Sequence, residues 1–331
     1  MVLVGDVVLL VTAVFGLWIG ARLLVTGASR LASAAGVSAL VVGLTVVAFG
    51  TSAPEIVVST GAALEGQGDI SVGNVVGSNL FNLAVCLGVV AVLSPFRVSE
   101  TLLRRDALAM AASTVVATVV LADGIVTRPD GGILLVLLSV YLGALGVAVR
   151  NRGDTDVVGT EPLEGADVAT AAPVGSDGDD GPKVGLGREI VRILFGLVLV
   201  IVGGRALVEA AVGLALAVGV SEWVVGATIV ATGTSLPELV TSVVAARGDN
   251  VSIAAGNVIG SNVFNALGVL GIAAVARPLT VDPAVFLGLA WLAVVTVLAT
   301  VVLATGRTLT RLEGVVLVAL GVSYWVVSIA A

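Results

Sequence analysis

The sequence contains no histidine. That absence excludes Ser-His hydrolysis, His-ligated zinc and imidazole proton relays. Cysteine occurs once, at Cys86, so no disulfide can close within the chain. Lysine also occurs once, at Lys183, and charged residues of both signs fill only 12% of the 331 positions, too few for the surface of a soluble chain of this length. The net charge of −7 is concentrated in one segment, and this acidic excess argues against nucleic acid as a partner. Short alternating strands, the mark of a membrane β-barrel, are missing. So are the basic n-region and small-residue cleavage site of a signal peptide, and residues 3–25 read as a retained transmembrane helix.

What is present is long and apolar. Hydrophobic residues make up 58% of the chain, and the mean hydropathy is +1.15. Continuous apolar runs of about 20 residues, the length a helix needs to cross hydrocarbon, recur at 3–25, 37–63, 70–94, 102–122 and 131–150, then at 188–210, 219–246, 252–275, 283–304 and 312–330. The expected fold is an all-α integral membrane protein with ten transmembrane helices. Residues 151–187 are rich in Gly, Pro and Asp and poor in large apolar side chains. They read as an acidic flexible linker between two five-helix repeats, 1–150 and 188–331.

The two halves are copies. "VVAFGTSAPEIVVS" at 46–59 returns as "IVATGTSLPELVTS" at 229–242, and "GNVVGSNLFN" at 73–82 returns as "GNVIGSNVFN" at 256–265. The motif pairs share one offset of 183 (238 − 55, 257 − 74, 261 − 78, 265 − 82). Five spans is an odd number, so the second copy enters the membrane from the opposite side. Such inverted repeats characterise secondary transporters with a midplane site. Basic residues set the orientation. With the N-terminus outside, only Arg128, Arg205 and Arg277 of the 16 Lys and Arg fall on the outer side, which makes the 151–187 linker cytoplasmic and the cell membrane the expected location.

Proline in a helix interior lacks an N–H and clashes with the carbonyl four residues back. Pro54 is therefore expected to free the carbonyl of Gly50, and Pro237 that of Gly233. Freed carbonyls are costly in lipid but become ligands beside a cation or a wet cavity. Helical spacing puts Glu55 on one face with Thr51, Ser52 and Ser59, and Glu238 with Thr234, Ser235 and Ser242. In the next helix Asn74, Ser78 and Asn82 form one polar stripe, and Asn257, Ser261 and Asn265 the matching one. Gly73 with Gly77, and Gly256 with Gly260, make small-xxx-small pairs that admit a close neighbour.

A kink, a Gly pair or a helical Ser taken singly is ordinarily structural. An intramembrane Glu is costly and marks function, and two in matched motifs mark it doubly. The candidate ligands are all oxygens, a hard-cation set suited to Ca²⁺ or Na⁺ and unsuited to zinc or copper. Two carboxylates supply a charge that one Ca²⁺ or two Na⁺ would neutralise, and Na⁺ or H⁺ competing for the same oxygens would give exchange. Nothing in these motifs specifies an enzyme, a prosthetic group or an obligatory protein partner; the lipid bilayer is the medium.

"GTSAPE" with "GNVVGSNLFN", and "GTSLPE" with "GNVIGSNVFN", resemble the paired alpha repeats of sodium/calcium exchangers, of prokaryotic type, in the cation/Ca²⁺ antiporter superfamily. The resemblance is specific over 43–88 and 226–271 and extends in layout to all ten spans. It implies a secondary active Na⁺/Ca²⁺ antiporter that expels Ca²⁺ by alternating access, the first and sixth spans sliding across the rest. A Ca²⁺/H⁺ or other divalent-cation antiporter is the alternative, and a passive cation channel a third. It implies that Glu55 and Glu238 hold Ca²⁺ between them with the backbone carbonyls of Thr51 and Thr234. It further implies Na⁺ coordination by Ser52, Ser78, Ser235 and Ser261 with the carbonyls of Ala48 and Ala231, and a central amide at Asn82. Many relatives carry Asp where this chain has Asn265, so the centre here is expected to hold one fewer carboxylate and to attract Ca²⁺ less strongly.

Overall fold

The computed structural model describes residues 2–151, 185–217, 231–283, 285–305 and 308–330. Residues 152–184 of the expected linker, and the first part of the expected 219–246 span, lie outside the described residues. Among the described residues, six helices are long and apolar enough to cross a membrane, or seven if one bent pair counts as a single span. The protein is therefore a multi-pass helical membrane protein.

The first half runs α1 (Val2–Ala34), α2 (Ala39–Val42), a π-helical turn (Gly43–Val47), α3 (Ala48–Thr51), α4 (Ala53–Glu65), α5 (Gly68–Leu80), a second π-turn (Phe81–Cys86) and α6 (Leu87–Leu93). It continues with β1 (Phe96–Arg97), a third π-turn (Leu102–Ala107), α7 (Leu108–Val120), β2 (Ile125–Val126) and α8 (Arg128–Asn151). The second half runs α9 (Leu186–Ala217), α10 (Ala231–Gly233), α11 (Leu236–Arg247), α12 (Val251–Val263), a π-turn (Phe264–Val269), α13 (Leu270–Ala276), β3 (Leu279–Thr280), α14 (Val285–Thr305), β4 (Thr308–Leu309) and α15 (Arg311–Ala330). α1 and α9, with 33 and 32 residues, are longer than the apolar runs 3–25 and 188–210. At 1.5 Å per residue each reaches about 50 Å, well past the hydrocarbon thickness.

The offset of 183 is visible in three dimensions. β1 shifted by 183 is β3, and β2 shifted by 183 is β4. β1 pairs with β4 (Phe96↔Leu309, Arg97↔Thr308), and β2 pairs with β3 (Ile125↔Thr280, Val126↔Leu279). Applying the shift to the first register produces the second. Because the 102–120 helix joins β1 to β2, the two ribbons lie at opposite ends of that helix. The helix starts agree: Thr127 N donates to Asp130 at 2.9 Å before α8, and Thr310 N donates to Glu313 at 2.7 Å before α15, the reciprocal bond of a capping box.

The structure corrects the expected role of the prolines. The run 37–63 is not one helix with proline inside it. Ala39–Thr51 and Ala53–Glu65 meet at a 44° bend centred on Ser52, and Pro54 falls in the first turn of the second piece. Pro237 holds the same place in α11, after a break at Ser235. Proline suits a first turn because the missing N–H has no helical partner there in any case. The break lies at the Ser residue of each motif, and Pro falls in the first turn of the helix that follows.

The motif helices form the middle of the bundle. The Gly68–Leu93 span is 78% buried and Val251–Ala276 is 89% buried, against 11% for Arg128–Arg150. α12 crosses the first half closely enough that a Cβ on Gly256 would meet Leu40 O at 2.6 Å, and one on Gly260 would meet Leu44 O at 2.6 Å.

Candidate functional site

The breaks at Ser52 and Ser235 start α4 and α11 in mid-bundle, and Glu55 and Glu238 sit in the first turn of each. A helix N-terminus carries positive dipole and unpaired N–H groups, so a carboxylate is favourably placed there. Both glutamates are 0% exposed. The carboxylates are tied crosswise between halves. Ser235 Oγ donates to Glu55 Oε1 at 3.0 Å, and Ser52 Oγ donates to Glu238 Oε1 at 3.2 Å. Each serine lies three residues before the glutamate of its own half, so the two exchanged bonds bring both carboxylates to one place.

A second ring of exchanged bonds surrounds the first. Thr51 Oγ1 donates to Asn257 Oδ1 and Thr234 Oγ1 donates to Asn74 Oδ1, both at 3.1 Å. Asn74 and Asn257 then donate to Ser59 Oγ and Ser242 Oγ, both at 3.0 Å. The stripe asparagines nearest the helix starts are thus braces between the copies, each with its oxygen and its nitrogen engaged. Ser78 Oγ donates to Glu55 Oε1 at 3.4 Å, and its mate Ser261 sits beside Glu238. Ala48 is fully buried at the start of α3, and Ala231 opens α10.

Several buried side-chain atoms of the motif residues have no hydrogen-bond partner among the described residues: Glu55 Oε2, Glu238 Oε2, Asn82 Nδ2 and both amide atoms of Asn265. A buried polar group left unpaired costs free energy, and charged groups cost most. Asn82 and Asn265 lie in the π-turns Phe81–Cys86 and Phe264–Val269. A π-turn interrupts the i→i−4 ladder and recurs at functional sites. No group of three or more His, Cys, Asp or Glu able to hold a metal occurs among the described residues. Besides the two carboxylates, the side chains gathered here offer hydroxyl and amide oxygens, a set matched to a hard cation and poorly matched to zinc.

The structure brings together Thr51, Ser52, Glu55 and Ser78 with Thr234, Ser235, Glu238 and Ser261. It also shows a contact that spacing alone did not single out. Asn79 Nδ2 donates to the carbonyl of Asn262 at 3.3 Å, and the two positions differ by 183 (262 − 79), so the copies meet themselves there. Its sequence signal is the third letter of "GSN", present in both motifs.

The family model described as "Sodium/calcium exchanger protein" matches residues 6–147 and 189–330, two segments that are themselves 183 apart. The chain is 32% identical to the sodium/calcium exchanger MaX1 of Methanosarcina acetivorans over 99% of both chains. It is 38% identical to the inner membrane protein YrbG of Escherichia coli K12 over 83% of this chain and 82% of that one. Among solved structures it superposes on the sodium-calcium exchanger NCX_Mj, soaked with 10 mM Na⁺ and zero Ca²⁺, with a TM-score of 0.80 and 31% identity over 100% of this chain and 99% of that one.

Proposed function

The chain belongs to the sodium/calcium exchanger protein family, and from that premise we propose that it is a secondary active Na⁺/Ca²⁺ antiporter built as ten spans in two inverted five-helix repeats. The observation that carries the reading is the crosswise tie of two fully buried carboxylates, each bonded by a serine of the other half and each keeping one oxygen without a partner among the described residues. The register of the β1–β4 and β2–β3 ribbons, exchanged by the offset of 183, supports the inverted repeat.

In this reading Glu55 and Glu238 share a Ca²⁺, with the carbonyls of Thr51 and Thr234 completing its oxygens. Ser52, Ser78, Ser235 and Ser261, with the carbonyls of Ala48 and Ala231, take Na⁺ when it displaces Ca²⁺. Asn82 and Asn265 add neutral amides at the centre. The N-terminus lies outside and the 151–187 linker inside, so the inward Na⁺ gradient drives Ca²⁺ out. Coupling needs no further part: two bare carboxylates crossing a dry barrier are costly, so the empty site switches poorly and each ion must be traded for another. α1 and α9 pack against each other from Ala13 and Leu17 at Gly203 to Arg30 at Glu189, as two spans that slide together would.

Uptake of radioactive Ca²⁺ into vesicles tests the reading. Vesicles preloaded with Na⁺ at uniform pH are expected to accumulate Ca²⁺, and a pH gradient without Na⁺ is expected to give none. Uptake under the pH gradient alone would establish Ca²⁺/H⁺ antiport instead, and uptake needing no counter-ion would establish a channel.

A further inference from the structure

One exposed arginine interrupts the apolar face of each long helix. On α9 the exposed side chains Val191, Phe195, Val198 and Val202 recur every three or four residues, and Arg205 is next in the series. On α1 Val8, Phe15 and Ile19, the mates of Val191, Val198 and Val202 at the offset of 183, lead to Arg22, the mate of Arg205. In a multi-pass membrane protein a continuous exposed apolar stripe faces lipid. The two helices cross at another pair of mates. Leu17 and Val200 share a buried cluster, and a Cβ on Gly20 would meet Val200 N at 2.9 Å while one on Gly203 would meet Leu17 N at 3.0 Å, contacts that the offset exchanges. The axis relating inverted repeats lies in the membrane plane, so this crossing marks the middle of the bilayer. Arg22 and Arg205 each lie five residues beyond it, toward the inner and the outer face respectively. That is about 7.5 Å along the helix, against about 15 Å for half the hydrocarbon. The long Arg stem covers most of the remaining depth. Neither arginine forms an ion pair with a described residue. The anion within reach is the phosphate of a lipid in the nearer leaflet.

We propose that Arg22 and Arg205 are positioning residues that bind lipid phosphate in opposite leaflets and together limit the travel of the α1–α9 pair along the membrane normal. Displacement toward the outer face draws Arg22 below the inner interface. Displacement toward the inner face draws Arg205 below the outer one. Either way one charge enters hydrocarbon at a cost, while the other, already at phosphate depth, gains nothing. The stop is uneven. Arg22 has a second seat: its guanidinium carbon lies 4.8 Å from the centroid of the Trp18 ring, one turn nearer the crossing. A cation–π contact of this kind shelters a charge that has left water. The mate of Trp18 is Ile201, which offers no ring, and Glu209, exposed one turn further along the α9 stripe, is carried inward together with Arg205. Displacement toward the outer face is therefore the cheaper one. The inference rests on the proposed function, in which α1 and α9 slide as one body.

The test measures a distance across the membrane by pulsed electron double resonance, with the full chain in nanodiscs of phosphatidylglycerol and phosphatidylcholine. Nitroxides are attached at Ser33→Cys, on the inner end of α1, and at Ala122→Cys, beyond the outer end of α7; both positions are exposed, and Cys86 is buried away from the label. The separation shortens when α1 moves outward. Arg22→Leu is expected to shorten it, and Arg205→Leu and Trp18→Leu to lengthen it, each by about 1–2 Å or more, the scale of a helix shift. A merely structural role would not give opposite signs at two mates on an exposed stripe. In an uncharged maltoside micelle, which has no phosphate, the Arg22→Leu and Arg205→Leu shifts are expected to vanish. Shifts of one sign for the two arginines, no shift in nanodiscs, or shifts that persist in the micelle would overturn the proposal. Na⁺-driven Ca²⁺ uptake by vesicles of the unlabelled parent is measured alongside. Uptake with unmoved separations refutes the stops and leaves the exchanger reading; opposite shifts without uptake refute that reading and leave the stops.

Discussion

Glu55→Gln and Glu238→Gln are each expected to abolish Ca²⁺ exchange while leaving the protein folded. Glutamine keeps the shape of the side chain and an oxygen to accept the bond from Ser235 or Ser52, so the crosswise tie survives. What is lost is one of two charges on the ion. At about 4 Å and an effective dielectric of about 20, a pair of unit charges interacts by about 4 kcal/mol, and a divalent ion feels more. That is at least about a thousandfold in affinity. Folding gains on the other side of the balance, because a buried carboxylate without full pairing is destabilising. The ion-free variants should therefore unfold at the same temperature as the parent or higher, and should lose the stabilisation that Ca²⁺ gives the parent by binding the native state. Near-normal exchange by Glu238→Gln, with Ca²⁺ still raising its unfolding temperature, would remove that residue from the site.

Gly260→Val is expected to damage the fold itself. The added Cβ would stand 2.6 Å from Leu44 O and 2.7 Å from Ala48 Cβ, before the two methyls are counted. The first obstacle is backbone on the neighbouring π-turn, and α12 is buried on every side. Neither helix can yield without disturbing Thr51 and Ser52, which lie one turn further on. Overpacking a filled interior costs about 1–3 kcal/mol, often more when backbone must move. The expected result is a lower unfolding temperature in detergent and a reduced folded yield. Gly143→Ala in α8 is the control: nothing lies within 4 Å of its added Cβ. Relief of helix entropy there is expected to be neutral or stabilising by about 0.5–1 kcal/mol. Equal stability of Gly260→Val and the parent would contradict the close crossing of α12 over the first half.

Much of this was legible in the residues because apolar run length, paired motifs and a constant offset are properties of the chain itself. The stripe Asn74–Ser78–Asn82 was readable as one face, since i+4 spacing fixes a face whatever surrounds the helix. Other features depend on the partner half. Spacing placed Asn74 in the stripe, but only the packed halves reveal that it braces Thr234 and Ser59. Spacing put Ser52 on the face of Glu55, but its bond goes to Glu238 of the other half, 186 residues away. The π-turns at Phe81 and Phe264 have no pattern in composition, and they rotate Asn82 and Asn265 relative to an uninterrupted helix. Asn79 lies off the Asn74–Ser78–Asn82 stripe, and its partner, the carbonyl of Asn262, is supplied by the other half.

The most direct measurement is anomalous diffraction from crystals of the full chain soaked with Sr²⁺ in place of Ca²⁺. A shared site predicts one strong peak within about 2.3–2.6 Å of carboxylate oxygens from both Glu55 and Glu238, weakening as Na⁺ is raised. A peak bonded to only one of the two glutamates, or lying outside the chamber between them, would contradict it.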